Sequence, residues 1–235
     1  MKNVLITGHN GFLGKVLLKK LKNKGLNIFG ISRGINQRLE CVNYAGDVTD
    51  LNTLHNIMSS KNIDTVIHLA GKAIVSECEE NPFDAFKING LGTAAVLEAS
   101  RITHVKKIIS VETDKVYGIQ KIMPTPETSK LNAGTPYEFS KALSSKISDF
   151  YRSYYKMNII SVRPANLIGG EDHNTTRVMP NAFKHILEGK SIPIYEEAKK
   201  MTRDFIYVSD VAEALYILCI NNNKHCKYNL SPNKK

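Results

Sequence analysis

Short apolar runs alternate with amphipathic, helix-length segments through the first 165 residues. "NVLITG", "LNIFGIS", "CVNYAGD", "DTVIHLAG" and "VKKIISVETD" carry the β-branched enrichment of strands. "GFLGKVLLKKLKNKG" repeats its apolar residues at helical spacing, with Phe12, Val16, Leu17 and Leu21 on one face and Gly25 as a C-terminal stop. "NPFDAFKINGLGTAAVLEASR" predicts a second helix with Pro82 near its start, and "PYEFSKALSSKISDFYRSYYK" a third. "MNIISVRP" is a further strand that Pro164 closes. The alternation predicts an α/β fold of βαβ units with right-handed crossovers and a mostly parallel sheet.

After Pro164 the pattern loosens into a glycine-rich loop, two helices and short extended pieces, ending at "KYNLSPNKK". This predicts residues 1–165 as one domain and 166–235 as a small lobe that covers substrate, reads as truncated, and sends segments back to the first domain. No apolar run approaches the roughly 18 residues of a membrane span, and the N-terminus breaks at glycines too soon for a secretory signal. The expected location is therefore cytoplasmic. Cys41, Cys78, Cys219 and Cys226 lack CxxC spacing, so neither a metal site nor a disulfide is expected. The net charge of +10 comes mostly from lysines spread along the chain. That is a solvated surface before it is a nucleic-acid face, and it also suits an anionic small molecule.

"TGHNGFLG" follows the first strand and opens the first helix, spacing Gly8, Gly11 and Gly14 as GxxGxxG. Glycines there let the backbone approach a pyrophosphate seated on the helix N-terminus. The second strand ends "GISRG", without the carboxylate that holds a ribose in the dinucleotide fingerprint. Arg33 either meets a 2′-phosphate or is a surface arginine, so the expected cofactor is NAD or NADP. Asp47 in "GDVTD" either meets an adenine amino group or caps the helix that Asp50 begins. "PYEFSK" sets Tyr137 and Lys141 four apart on one helical face, where an ammonium near a phenol favours phenolate and a base for a hydroxyl proton.

Taken in order, "TGHNGFLG", "GDVTD", "VIHLAG", "NPFDAFKINGLGTAAVLEASR", "TDKVYG", "PYEFSK", "VRPANLIGG" and "RDFIYVSDVAEA" resemble the extended short-chain dehydrogenase/reductases, specifically the nucleotide-sugar epimerases and dehydratases. The resemblance covers essentially the whole chain. It implies a Rossmann-type doubly wound parallel sheet for NAD or NADP and a C-terminal lobe for a nucleoside diphosphate sugar. It assigns the cofactor to Gly8, Asn10, Gly11, Phe12, Leu13 and Gly14, to Ser32 and Arg33, to Asp47 and Val48, to Leu69, Ala70 and Gly71, and to Tyr137 and Lys141. Asn166, Arg177 and Arg203 match substrate-facing positions, although Asn166 between a strand and two glycines also suits a turn.

Thr113 matches the residue that hydrogen-bonds the reacting hydroxyl. Asp114 and Lys115 then resemble the acid and base of 4,6-dehydratases, with Lys115 in place of the glutamate of the dTDP-glucose and GDP-mannose enzymes and closer to the CDP-glucose branch. The implied reaction is redox-neutral. Tyr137 takes the carbon 4 hydroxyl proton as hydride leaves, Lys115 removes the carbon 5 proton, and Asp114 protonates the departing carbon 6 hydroxyl. Lys115 has to be deprotonated for this, which partial burial beside Lys141 would favour. An ion pair ending a strand is the simpler reading of Asp114 and Lys115. A 4-epimerase or 4-keto reductase is the alternative activity, and an RNA- or partner-binding member without catalysis the alternative class. His68 reads as a packed histidine. The family commonly forms homodimers through its two long helices, and Tyr151, Tyr154 and Tyr155 suit either that interface or a core.

Overall fold

The computed structural model describes residues 2–35, 41–120, 122–193 and 202–232. Residues 194–201 of the expected lobe and the last three residues of the lysine-rich ending lie outside them. The chain runs β1 (Asn3–Thr7), α1 (Phe12–Leu21), β2 (Asn27–Ser32), β3 (Val42–Ala45), α2 (Leu51–Ser60), β4 (Thr65–His68), α3 (Val75–Glu80) and α4 (Pro82–Ala85). A π-helical turn at Phe86–Leu91 leads into α5 (Gly92–Ile102), β5 (Lys107–Val111), a 3-10 turn at Asp114–Tyr117, α6 (Pro136–Tyr154) and β6 (Ile159–Pro164). Then come β7 (Asn166–Ile168), α7 (Val178–Leu187), β8 (Phe205–Tyr207), α8 (Val208–Ile220) and β9 (Lys227–Leu230).

The main sheet has the strand order β3-β2-β1-β4-β5-β6-β9, and every pairing in it is parallel. Because helices cover both faces, its central strands are apolar on both sides. Val4, Ile6, Ile67 and Ile109 pack with Leu17 of α1 and Leu215 of α8, while Leu5, Val66 and Ile108 pack with Leu54 of α2 and Val96 of α5. This is the expected doubly wound, Rossmann-type sheet. Strand order reverses between β1 and β4, and that switch point opens a crevice beyond the strands' carboxyl ends.

The buried face of α1 lies one position away from the expected one. Leu13, Leu17, Leu18 and Leu21 are buried, whereas Phe12 and Val16 are only partly covered. Side chains of a helix lean toward its N-terminus, so the residues over the sheet are displaced from those the bare spacing suggests. The helix also ends at Leu21, short of Gly25, with the Lys22 amide bonded to Leu18. After β6 the chain divides its roles. β7 and β8 pair in a separate two-stranded sheet, and α7 stands with no buried residue, leaving Phe183 and Leu187 exposed. α8 and β9 return to the main sheet, β9 lying beside β6.

Candidate active site

The loop after β1 turns on Gly8, at φ 72°, where a Cβ would stand 2.7 Å from the Ala70 amide nitrogen. A Cβ on Gly14 would stand 2.6 Å from the carbonyl oxygens of both Gly8 and His9. Only glycine lets α1 begin so close to the strand before it. Gly11 occupies the N-cap without a capping side chain, so the first-turn N–H groups and the positive end of the helix dipole are open to an anion. Asn10 donates to Ser32 Oγ at 2.7 Å and to the Gly34 carbonyl at 2.5 Å, tying this loop to the end of β2, while its Oδ1 is buried with no partner. A small-residue cradle, an uncapped helix start and an orphaned acceptor fit a dinucleotide.

Two adjoining hollows of about 650 and 750 Å³ share this loop. Asn10, Ser32, Arg33, Asp47, Val48 and Ala70 face the first, with Gly8, Gly11, Phe12, Leu69 and Gly71 common to both. Leu13 and Gly14 border the second, although Leu13 also belongs to the core beneath. Asp50, not Asp47, caps α2 by accepting from the amides of Asn52 and Thr53. Asp47 accepts from the Thr49 amide and hydroxyl at 2.8 Å each, and that amide bond is the main reason its carboxyl sits below the usual range.

Thr113, Lys115, Tyr137, Lys141, Asn166, Arg177 and Arg203 line the wall of the second hollow, and Asp114 does not. A capping box between Thr135 and Glu138, with Pro136 in the first turn, fixes where α6 starts and so turns both Tyr137 and Lys141 inward. Burial pushes the Tyr137 phenol up to about 12, against the lowering effect of its hydrogen bond with Thr113. The Lys141 ammonium donates to the Val111 carbonyl at 3.0 Å, and burial lowers its pKa, opposed by Glu112. Burial is the largest influence on the phenol; the charges of Asp114 and Cys78 raise its pKa further and that of Arg177 lowers it.

The 3-10 turn is capped by Thr113, whose side chain accepts from the Lys115 amide at 3.4 Å, and Gly118 at φ 59° ends it. Asp114 accepts from the Thr113 hydroxyl at 3.2 Å and lies 3.4 Å from Lys115 Nζ. Lys115 Nζ also donates to Asn166 Oδ1 at 2.7 Å. Asn166 thus joins strand β7 to the turn and does not merely fill a bend. Lys115, with its side chain 30% exposed, is paired with Asp114 and Asn166, whereas Lys141 is bonded to Val111. Arg177 donates to Asp172 at 3.1 Å and lies over the Phe12 ring, and Arg203 donates to the Thr202 carbonyl.

Several polar residues given no catalytic role in the sequence reading hold this wall. His68 is buried, with Nδ1 against Thr7 Oγ1 at 2.7 Å and Nε2 against Thr93 Oγ1 at 3.1 Å, and burial pulls its pKa down to about 3. Asn89, carried on the π-helical turn, accepts from the Lys72 amide at 2.8 Å and donates to the Lys72 carbonyl and to Ser140 Oγ. It thereby links the loop after β4 to α6. Its sequence signal was a polar residue beside glycine in an otherwise apolar helix, "KINGLG". His9, fully buried, bonds Asn43 and packs over Gly30.

A model of the NAD dependent epimerase/dehydratase family matches residues 4–231. The chain belongs to that family. It is 30% identical to the dTDP-D-glucose 4,6-dehydratase of Dictyostelium discoideum, over 93% of this chain and 55% of that protein. It is 27% identical to the dTDP-glucose 4,6-dehydratase of Haemophilus influenzae, over 99% of this chain and 75% of that protein. Among solved structures it superposes on a UDP-glucose 4-epimerase with UDP-glucose from Thermotoga maritima with a TM-score of 0.90, at 28% identity, covering 97% of this chain and 76% of the other. Family membership makes this an extended short-chain dehydrogenase/reductase with NAD as cofactor. Among the described residues no helix is long and apolar enough to cross a membrane, and no cluster of side chains is arranged to hold a metal ion.

Proposed function

We propose that the chain is a nucleotide-sugar 4,6-dehydratase, turning a nucleoside diphosphate hexose into its 4-keto-6-deoxy form for deoxysugar and surface polysaccharide synthesis. The observation that carries this is the Asp114–Lys115 pair, seated between Thr113 and Asn166 and within reach of Tyr137. A 4-epimerase needs the Thr113–Tyr137 contact but has no use for an acid and a base beside it. CDP-glucose is the favoured substrate, because Lys115 stands where the dTDP-glucose enzymes have glutamate.

The residues around the glycine loop would hold NAD, which would supply a reversible hydride acceptor. Tyr137 and Thr113 share the proton of the carbon 4 hydroxyl, in a wall dry enough to raise the phenol. Lys115 removes the carbon 5 proton, and Asp114 gives a proton to the departing carbon 6 hydroxyl, which leaves as water; as carbon 6 takes back the hydride, Lys115 returns its proton to carbon 5. The proton taken from the carbon 4 hydroxyl makes up the one that Asp114 loses, through the Thr113 hydroxyl that bonds Asp114 at 3.2 Å. Arg177 and Arg203 meet the diphosphate, for which a planar fork is suited. The exposed ring cluster of Phe150, Tyr154 and Tyr155 on α6 would seal a homodimer.

The 4-epimerase reading is supported by likeness to several epimerases, that of Thermotoga maritima among them. Mass spectrometry separates the two. Incubated with CDP-glucose and, in parallel, UDP-, GDP- and dTDP-hexoses, the protein with NAD should remove one water without net cofactor reduction. Asp114→Asn and Lys115→Met should stop water loss yet still allow oxidation at carbon 4, seen as NADH absorbance. An isomer of unchanged mass, resolved from the substrate by chromatography, would instead establish the epimerase.

A further inference from the structure

Behind the catalytic wall lies a buried ionic network that neither the family resemblance nor the mechanism uses. Arg163, on β6, is 1% exposed, and Glu112, between β5 and the 3-10 turn, is 4% exposed. Arg163 Nε donates to Glu112 Oε2 at 2.8 Å and Nη2 to Ser145 Oγ at 3.1 Å, while Ser145 also donates to Glu112. From the same guanidinium, Nη1 donates to the Tyr117 hydroxyl at 2.6 Å. Glu112 immediately precedes Thr113, and Tyr117 is the last residue of the turn. One side chain therefore grips both ends of the segment that carries Thr113, Asp114 and Lys115. Ser145, one helical turn beyond Lys141, adds the catalytic face of α6 to the same grip.

The far side of the grip is β9. Tyr117 passes its hydroxyl hydrogen to Asn229 Oδ1 at 2.9 Å, and Asn229 in turn bonds the Thr125 carbonyl and the Glu127 carboxylate. The Asn132 amide returns to the Val116 carbonyl at 2.9 Å, closing the loop that follows the turn. A buried charge pair is a costly way to add stability, since an apolar pair of the same volume serves as well. It does confer geometry, because the guanidinium donors are fixed in one plane.

We propose that Arg163, with Glu112, is a positioning residue that holds the Thr113–Tyr117 turn in register with Tyr137 and Lys141. The proposal rests on the dehydratase reading only for which reaction is slowed; the fixed turn itself is independent of substrate. Glu112→Gln and Tyr117→Phe each remove one end of the grip with little change in volume, and Arg163→Lys keeps the charge but loses the fork. Hydrogen exchange of amides 113–118 should accelerate at least tenfold in each variant, while amides of the glycine loop at 8–14 stay within twofold. With an active substrate, kcat should fall at least tenfold with NAD affinity unchanged. Tyr117→Phe, the mildest change, serves if either charge variant fails to fold. Unchanged exchange at 113–118, or equal acceleration in the glycine loop, would overturn the proposal. Should the wild-type protein dehydrate no sugar, the functional reading fails while hydrogen exchange still decides the clamp.

Discussion

A methyl group added at Gly14 would meet two backbone carbonyls at 2.6 Å, whereas one added at Gly170 would meet nothing within 4 Å. Gly14 stands in the first turn of α1 and Gly170 in the loop at 169–177, and both stretches border the same hollows. The loop at 8–14 is shaped by its own backbone, packed against β4 and the start of α1. The loop at 169–177 reaches this half through side chains, with Glu171 paired to Lys19 of α1 and Arg177 over Phe12. The cofactor half of the cleft is thus built rigidly from local sequence, and the substrate half is assembled from long-range polar contacts that can change without disturbing the fold.

The hardest break in that comparison is Gly14→Ala. The clash is with backbone, which cannot swing aside, so its cost exceeds the roughly 1–3 kcal/mol of ordinary overpacking. NAD affinity should drop about a thousandfold or the protein should fail to fold, while Gly170→Ala should leave both intact. Isothermal titration with NAD on the two variants is the check. Next in size is Tyr137→Phe, which keeps the buried ring and loses only the hydroxyl that Thr113 bonds. Turnover should fall about a hundred- to ten-thousandfold, with NAD affinity within threefold of wild type.

These two halves were not equally legible in the sequence. Parallel strands at β1, β2, β4, β5 and β6, the glycine loop and the inward pair on α6 follow from periodicity and turn chemistry, which are local. The Glu112–Arg163 pair spans 51 residues and the His9–Asn43 contact 34, and such pairings leave no periodic trace. Nor could "GG" distinguish Gly169, at φ 147° and against Val208, from the unconstrained Gly170. The phenol's environment was hidden for a related reason. Helical spacing shows that Tyr137 and Lys141 share a face, but not that the face is desolvated or that Val111 takes the ammonium.

His68 sharpens the comparison through pH. Its folded pKa of about 3 lies below the ordinary 6.5, so the fold favours the neutral ring. The stability this contributes is present above about pH 6.5 and is lost as the pH falls toward 3, as the unfolded chain takes up a proton that the native state refuses. Between pH 7.5 and 4.5 the loss should reach roughly 2–3 kcal/mol, read as a shift in urea midpoint. His68→Gln removes that titration and should flatten this part of the pH dependence.

The smallest effect falls at the edge where the two halves meet the cofactor's far end. β2 ends at Ser32 with no carboxylate after it, and Arg33 lines the hollow close enough to Asp47 to help lower that carboxyl. If the guanidinium receives a ribose 2′-phosphate, Arg33→Ala should weaken NADP about five- to tenfold and leave NAD within twofold. Because Arg33 is exposed, its attraction acts through water and should shrink further as salt rises from 50 to 500 mM, roughly a threefold shorter Debye length. A salt-independent loss of NAD and NADP together would mean that Arg33 shapes the loop instead of reading the phosphate. Equal, undiminished affinity for both would make it a surface arginine and leave Asn10 and Ser32 to hold the ribose.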